Sequence, residues 1–205
     1  MFSFALMMIA AYLIGSIPFG VLVGRLRGFD PRMVGSGNIG MTNVARVGGL
    51  SAAVLTFVGD VFKGALPVAA ARALGFVPSQ LAWTALAAFL GSICSIFLRF
   101  RGGKGVSAAL GVWVMLSPFA LLFAMAAFAI ALVSSRIMSL ASIVAALVIP
   151  IAVAAVGGPR PYLVLAIVIS GLVLLRHSEN IRRLLRGAEP RVGERRRTEG
   201  AVPNR

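Results

Sequence analysis

The sequence predicts an all-α, polytopic integral membrane protein with seven transmembrane helices, and both its composition and its charge pattern lead to this class. Of its 205 residues, 59% are hydrophobic and only 13% are charged, whereas soluble domains hold about 45–50% apolar and about 25% charged residues. A disulfide scaffold is excluded because Cys94 is the only cysteine, and a multi-histidine metal centre is excluded because there is one histidine. Neither a metal nor another cofactor is expected.

The candidate spans are apolar runs close to the length of about 20 residues that a helix needs to cross the hydrocarbon. They cover roughly 2–24, 51–71, 81–98, 107–116, 118–134, 138–157 and 162–175. The first run has no basic segment before it and is interpreted as a retained span, with a kink expected at 15–20 (GSIPFG). The stretch 107–134 allows one long helix or two short ones, and Ser117-Pro118 favours a break because proline disrupts helical geometry.

The distribution of basic residues favours seven spans over six. With seven, the segments 25–50, 99–106, 135–137 and 176–205 share one side and hold 17 of the 20 lysines and arginines. The positive-inside rule then predicts a cytoplasmic C-terminus and an outside N-terminus. The net charge of +14 is thus attributed to membrane topology, anionic lipid and phosphate-bearing substrates instead of nucleic acid. Residues 1–190 are predicted to form one transmembrane domain, and 191–205 a basic, flexible cytoplasmic tail.

Three polar segments fall on this predicted cytoplasmic side, and each combines small or polar residues with a cation. They are 35–46 (GSGNIGMTNVAR), 99–105 (RFRGGKG) and the segment that begins at 177 (HSENIRR). Glycines let backbone N–H groups approach phosphate, and hydroxyl, amide and cationic side chains add donors. Each segment alone is also explained as a flexible loop with helix-capping residues. The phosphate-binding candidates are Ser36, Gly37, Asn38, Thr42, Asn43, Arg46, Gly102, Gly103, Lys104 and Gly105.

Four other polar positions have both a structural and a functional interpretation. His177, three residues before Asn180 on one helix face, is either an interfacial residue or part of the site. Asp60 and Lys63 lie within a span, where a charge costs about 2.5–3.5 kcal/mol, and their spacing allows an ion pair as readily as a direct role. Ser142 is a packing or capping hydroxyl that has a smaller chance of lining the site.

The three segments resemble the three motifs of the PlsY family, the bacterial acyl-phosphate:glycerol-3-phosphate acyltransferases, in order and spacing along nearly the whole chain. The matching stretches are 35–46, 100–108 (FRGGKGVSA) and 177–191 (HSENIRRLLRGAEPR). One departure is that Ser92, Cys94 and Ser95 stand where the family usually has histidine, phenylalanine and proline.

The resemblance implies a seven-helix enzyme of the bacterial inner membrane with its active site at the cytoplasmic face. It implies transfer of a fatty acyl group from acyl phosphate to the 1-hydroxyl of glycerol 3-phosphate, and a possible contact with the upstream enzyme that makes acyl phosphate. Ser36 and Arg46 correspond to the essential polar set of the first motif, and the glycines around Lys104 to the glycerol-phosphate site. His177 and Asn180 correspond to the third motif, in which Glu189 has a more structural place. Either His177 or the substrate's own phosphate takes the hydroxyl proton. A transporter for a phosphorylated metabolite and a scaffold subunit are the alternatives.

Overall fold

The computed structural model describes residues 2–193 and is all-helical over that range. The predicted tail begins at 191, and its residues 194–205 lie outside the described part. Within residues 2–193 there are nine α-helices and one short 3₁₀ helix, Ile96–Leu98. The α-helices are α1 (Phe2–Ser16), α2 (Phe19–Leu26), α3 (Met41–Ala73), α4 (Pro78–Ile93), α5 (Val106–Leu116), α6 (Pro118–Ser135), α7 (Met138–Ala155), α8 (Arg160–Arg176) and α9 (Ser178–Leu185).

Five helical stretches of the described range are long and apolar enough to cross a membrane: Ser3–Leu26, Met41–Ala73, Pro78–Leu98, Pro118–Ser135 and Met138–Ala155. Helices α8 and α9 add a sixth candidate if the pair, bent by 61°, forms one span. Helix α5 is apolar but only 11 residues long, which matches the short fourth helix that the sequence indicated. An all-α membrane protein is confirmed, and the count of seven spans remains a prediction.

Two of the predicted helix breaks are present. Ile17 and Pro18 separate α1 from α2, and Ser117 separates α5 from α6, which begins at Pro118. In both places the proline cannot donate a backbone hydrogen bond and restricts the residue before it. The break after Ser16 frees carbonyl groups that other segments use, as described below.

The structure differs from the sequence prediction in the segment 25–50, which was expected to be a loop. Helix α3 already begins at Met41, and only Gly49, at φ 76° and ψ −176°, interrupts its helical geometry before the transmembrane part. A residue without a side chain adopts this positive φ at little cost. The helical segment 41–48 was missed because its mixed small and polar composition resembles that of a loop.

Helices α3 and α5 pack at backbone contact. A Cβ atom on Gly64 would lie 2.1 Å from the carbonyl oxygen of Ala108, and one on Gly111 would lie 2.0 Å from that of Val61. Small residues permit such close crossings in membranes, where lipid gives helices no hydrophobic reason to associate. Helix α6 is much less buried within the protein, since Ala120 and Ala124 are its only buried residues.

Candidate active site

A cavity of about 510 Å³ brings the three polar segments of the sequence together. The N-terminal ends of α3, α5, α7 and α9 all contribute residues to its wall, among them Thr42, Ser107, Ser139 and Ser178. The first N–H groups of a helix have no partner inside that helix, and the helix dipole adds partial positive charge there. The cavity is therefore suited to anions before any charged side chain is considered.

Most of the residues predicted for the site line this cavity. All five predicted catalytic residues do so, as do Asn38, Thr42, Asn43, Gly103, Gly105 and Ser142 from the predicted binding set. Gly37 and Gly102, which were also predicted to bind substrate, are not part of the lining. Asp60, Lys63 and Glu189, predicted as structural, line it too.

Lys104 lies in the cavity wall with its ammonium group hydrogen-bonded to the Oδ1 atom of Asn180. Burial lowers the pKa of Lys104 to about 8; the nearby carboxylate of Glu189 counteracts this and the positive charge of Arg183 adds to it. The lysine is thus held by a neutral amide, without a carboxylate directly on its ammonium group. A phosphate that enters the cavity can therefore pair with the Lys104 ammonium group without displacing a carboxylate.

Glu189 holds Asn180, the hydrogen-bond partner of Lys104, in position. Its carboxylate accepts hydrogen bonds from Ser139 Oγ at 2.7 Å, from Asn180 Nδ2 at 2.6 Å and from Arg183 Nε at 2.6 Å. Burial alone would raise the pKa of Glu189, but the hydrogen bonds from Arg183, Ser139 and Asn180 lower it below its usual value. Because Asn180 donates to Glu189, its amide oxygen must face Lys104. These five residues are called the Lys104 network below.

The segment that carries Glu189 is tied down beyond it. The backbone N–H of Val192 donates to the carbonyl oxygen of Arg136 at 2.7 Å, and Arg136 Nη2 donates to the carbonyl oxygen of Val192 at 3.2 Å. The chain after α9 therefore returns to the turn between α6 and α7 and closes one side of the cavity.

His177 is 2% exposed and lies in the cavity wall between α8 and α9. Its Nδ1 atom is 2.8 Å from the carbonyl oxygen of Val173. A carbonyl only accepts, so Nδ1 carries the proton and the neutral ring presents Nε2 as an acceptor. Burial, reinforced by the charge of Lys104, lowers the pKa of His177 to about 4, which keeps the ring neutral at physiological pH.

The 35–46 loop is held by Asn43, which is 2% exposed. Its Oδ1 accepts from the backbone N–H of Ser36 at 2.8 Å, and its Nδ2 donates to the carbonyl oxygens of Pro31 and Val34 at 2.8 and 3.0 Å. The amide of Asn43 thus shapes the loop, whereas the sequence suggested that it holds phosphate. Ser36 and Arg46 are exposed at the cavity.

The glycines before Lys104 serve close packing more than anion contact. The N–H groups of Gly102 and Gly103 donate to the carbonyl oxygens of Ile93 and Ser92 at the end of α4. Their own carbonyl oxygens accept from Arg176, at 2.8 and 3.1 Å. These two N–H groups are engaged within the protein, so the glycine nest expected from the sequence does not form there.

Asp60 and Lys63 form the ion pair that their spacing allowed, with 2.6 Å between Lys63 Nζ and Asp60 Oδ1. Lys63 also donates to the carbonyl oxygen of Ile17 at 3.1 Å. That carbonyl is exposed by the break between α1 and α2, so the pair links the broken span to the cavity wall.

Helix α4 ends at the positions that depart from the family pattern, where Ser92, Cys94 and Ser95 stand in place of histidine, phenylalanine and proline. Ser92 lines the cavity, and its hydroxyl donates to the carbonyl oxygen of Phe89 at 2.7 Å. Ser95 donates to the carbonyl oxygen of Ser16, while Tyr12 donates to that of Cys94 at 2.7 Å. Ser95 and Tyr12 thereby hold the end of α4 against α1 and the break that follows it.

Sequence reasoning missed Arg176 and Arg183 as functional residues. Arg183 acts through Glu189, which lies 6 residues further along the chain, whereas Arg176 acts through the carbonyl oxygens of Gly102 and Gly103, which lie 74 and 73 residues away in the sequence. The only local signal was that Arg176 directly precedes the single histidine. Within residues 2–193, no three His, Cys, Asp or Glu side chains come together in a way that could hold a metal ion.

Comparisons with known proteins agree over nearly the whole chain. Residues 5–187 match the family model described as glycerol-3-phosphate acyltransferase. A glycerol-3-phosphate acyltransferase of Geotalea daltonii is 47% identical over 189 residues, 92% of this chain and 97% of that protein. One of Geobacter sulfurreducens is 50% identical over 182 residues, 88% and 93% of the two chains.

Two crystal structures of PlsY, an integral membrane glycerol 3-phosphate acyltransferase, have the same fold. The glycerol 3-phosphate form is 43% identical with a TM-score of 0.89, and the lysophosphatidic acid form is 42% identical with a TM-score of 0.87. Each alignment covers 93% of this chain and 96% of the other.

Proposed function

The chain belongs to the glycerol-3-phosphate acyltransferase family, and from that membership we propose that it transfers a fatty acyl group from acyl phosphate to the 1-hydroxyl of glycerol 3-phosphate. The products are lysophosphatidic acid and inorganic phosphate. The hydroxyl oxygen attacks the acyl carbonyl carbon, the bond between that carbon and the phosphate oxygen breaks, and the hydroxyl proton leaves with the phosphate. The single observation that carries the proposal is the Lys104 cation, which is held by a neutral amide and not by a carboxylate, at a cavity where four helix N-termini meet.

The main task of the site is to hold two anionic substrates next to each other. Lys104 and Arg46 neutralise charge, while Ser36, Thr42 and the first N–H groups of α3 and α5 add donors. Such preorganised donors stabilise the charge that builds on the leaving phosphate without rearrangement during the reaction. Asn38, Gly103, Gly105 and Ser142 complete the wall around the substrates.

The proton of the attacking hydroxyl goes to substrate phosphate, with His177 as a positioning residue. A group whose pKa is about 4 holds a proton poorly at pH 7, whereas phosphate has a second pKa of about 6. The Nε2 atom of His177 accepts a hydrogen bond and thereby orients the hydroxyl or glycerol moiety.

The enzyme is a multi-pass membrane protein, and we assign it seven spans in the bacterial inner membrane with the cavity at the cytoplasmic face. Residues 1–190 form the catalytic domain, and the basic charge of 191–205 favours contact with anionic lipid. We propose the upstream enzyme that makes acyl phosphate as a partner on that face.

Topology is tested by cysteine labelling in a Cys94→Ser background. A cysteine at Asn204 should react with an impermeant reagent only from the cytoplasmic side, and one at Gly158 only from outside. Labelling of both positions from the same side would contradict seven spans.

The function is tested with the protein purified in detergent, by phosphate release from acyl phosphate with and without glycerol 3-phosphate. Release that depends on glycerol 3-phosphate, with lysophosphatidic acid formed in equal amount, is the expected result. Formation of lysophosphatidic acid from acyl-CoA but not from acyl phosphate would overturn the choice of donor. The transporter alternative gains no support from the comparisons, and the polar groups cluster around one cavity of an enzyme fold.

A further inference from the structure

The two glycines before Lys104 are held by Arg176 as well as by α4. The Nη2 atom of Arg176 donates to the carbonyl oxygen of Gly102 at 2.8 Å, and its Nε atom donates to that of Gly103 at 3.1 Å. The N–H groups of the same two glycines donate to carbonyl oxygens at the end of α4. The backbone that leads into Lys104 is therefore fixed from two sides.

The bend between α8 and α9 holds Lys104 at both of its ends. Arg176, the last residue of α8, fixes the backbone before Lys104, whereas Asn180 in α9 accepts from the ammonium group at the end of the side chain. His177 lies between these two residues in the sequence and lines the same polar cavity. The position of the Lys104 ammonium group relative to the His177 ring therefore depends on contacts from both helices.

We infer that Arg176 is a positioning residue for acyl transfer: its guanidinium holds the backbone before Lys104 so that the ammonium group lies where charge builds on the leaving phosphate. The inference rests on the proposed function. A guanidinium carries its donors in a rigid fork and binds two oxygens at once, whereas a lysine ammonium group is a point charge on a flexible stem. The effect of Arg176 should therefore depend on the geometry of its donors and not on its charge alone.

The experiment measures kcat and KM for both substrates in Arg176→Lys, which keeps the positive charge but loses the fork, and in Arg176→Gln, which loses both. We expect kcat to fall by about 10–100-fold in each variant, because a displacement of about 1 Å in a catalytic group can cost about 100-fold in rate. KM for glycerol 3-phosphate and for acyl phosphate should stay close to the unmodified values.

The matched controls are Arg182→Lys and Arg182→Gln, which change an exposed arginine of α9 outside the cavity lining and should leave kcat and KM unchanged.

A double-mutant cycle tests whether Arg176 acts through Lys104. In a protein that already carries Lys104→Ala, adding Arg176→Lys should cost no further activity, because no ammonium group is left to position. The effects of two residues with independent roles would instead multiply. All rates are referred to the amount of folded protein, so a partial loss of folding does not imitate the coupling.

The outcomes separate this inference from the proposed function. If the unmodified protein forms no lysophosphatidic acid from acyl phosphate, the proposed function fails and the inference with it. If the protein is active but Arg176→Lys keeps the unmodified kcat, the fork of Arg176 has no role and the inference is wrong. A raised KM with unchanged kcat, or effects that multiply in the cycle, would also contradict it. Should one Arg176 variant fail to fold, the other still decides through kcat, KM and the cycle.

Discussion

The two sides of the polar cavity are built differently. The Lys104 network is closed: each polar side chain in it has a partner, and Glu189 alone accepts three hydrogen bonds. On the opposite side, Asn43 holds the 35–46 loop from within, while the Ser36 and Arg46 side chains are exposed and form no hydrogen bond or ion pair within residues 2–193. We infer that the Lys104 side is preorganised for the reaction, whereas Ser36 and Arg46 gain partners only when a substrate binds.

Lys104→Ala should have the largest effect, because it removes the cation that the network holds ready. We expect turnover to fall by about 10²–10³-fold, as for the loss of one donor to a developing anion, while the protein still inserts and purifies. Steady-state phosphate release measures it.

The control is Arg101→Ala, which removes a neighbouring exposed cation outside the cavity and should leave turnover unchanged. A Lys104→Ala protein that keeps more than about a tenth of its activity, a loss under about 1.4 kcal/mol, would exclude Lys104 from the phosphate site.

Arg46→Ala should act mainly on substrate binding, because Arg46 gains its partner only when an anion arrives. We expect KM for at least one substrate to rise by about 10–100-fold, with a smaller change in kcat. Arg27→Ala, an exposed cation of the same segment outside the cavity, is the control. If kcat falls as far as in Lys104→Ala with KM unchanged, both sides are preorganised and the contrast disappears.

The pH dependence gives a test without disturbing the fold. Lys104 is charged below its pKa of about 8 and neutral above it, whereas glycerol 3-phosphate is already a dianion above about pH 6. We therefore expect kcat/KM for glycerol 3-phosphate to fall above pH 8, by up to about tenfold per pH unit. Lys104→Arg, whose guanidinium stays protonated throughout this pH range, should flatten this limb. A flat profile to pH 9.5 in the unmodified protein would contradict the assignment.

His177→Asn and His177→Gln should have the smallest effect, lowering turnover by less than about tenfold. We expect a raised KM for glycerol 3-phosphate and an unchanged acidic limb of the pH–rate profile. Neither amide accepts a proton near neutral pH, but both form hydrogen bonds. Loss of a general base would instead cost about 10²–10⁴-fold. Complete inactivity of both folded variants with normal substrate binding would make His177 the base.

The sequence predicted what depends on local signals. Helices break at Pro18 and Pro118, and Asp60 and Lys63 form the ion pair that their spacing allows. The three polar segments meet at one cavity. The membrane-protein class and the family followed from the same signals. Composition and motif order are visible in one dimension, so these features needed no tertiary information.

What the sequence could not reveal depends on contacts between distant segments. The glycine motif suggested anion contact at Gly102 and Gly103, but their N–H groups pair with the end of α4. The convergence of four helix N-termini follows from how the helices pack, and no single motif encodes it. The closing role of Glu189 likewise requires Ser139, which lies 50 residues away in the sequence.

The hydrogen bonds between Val192 and Arg136 have a practical consequence for shortening the protein. A chain that stops after 193 keeps every contact described above. A chain that stops after Arg186 loses the acceptor shared by Ser139, Asn180 and Arg183. Without that acceptor nothing fixes the Asn180 amide with its oxygen towards Lys104, so a chain seven residues shorter would hold this cation less rigidly.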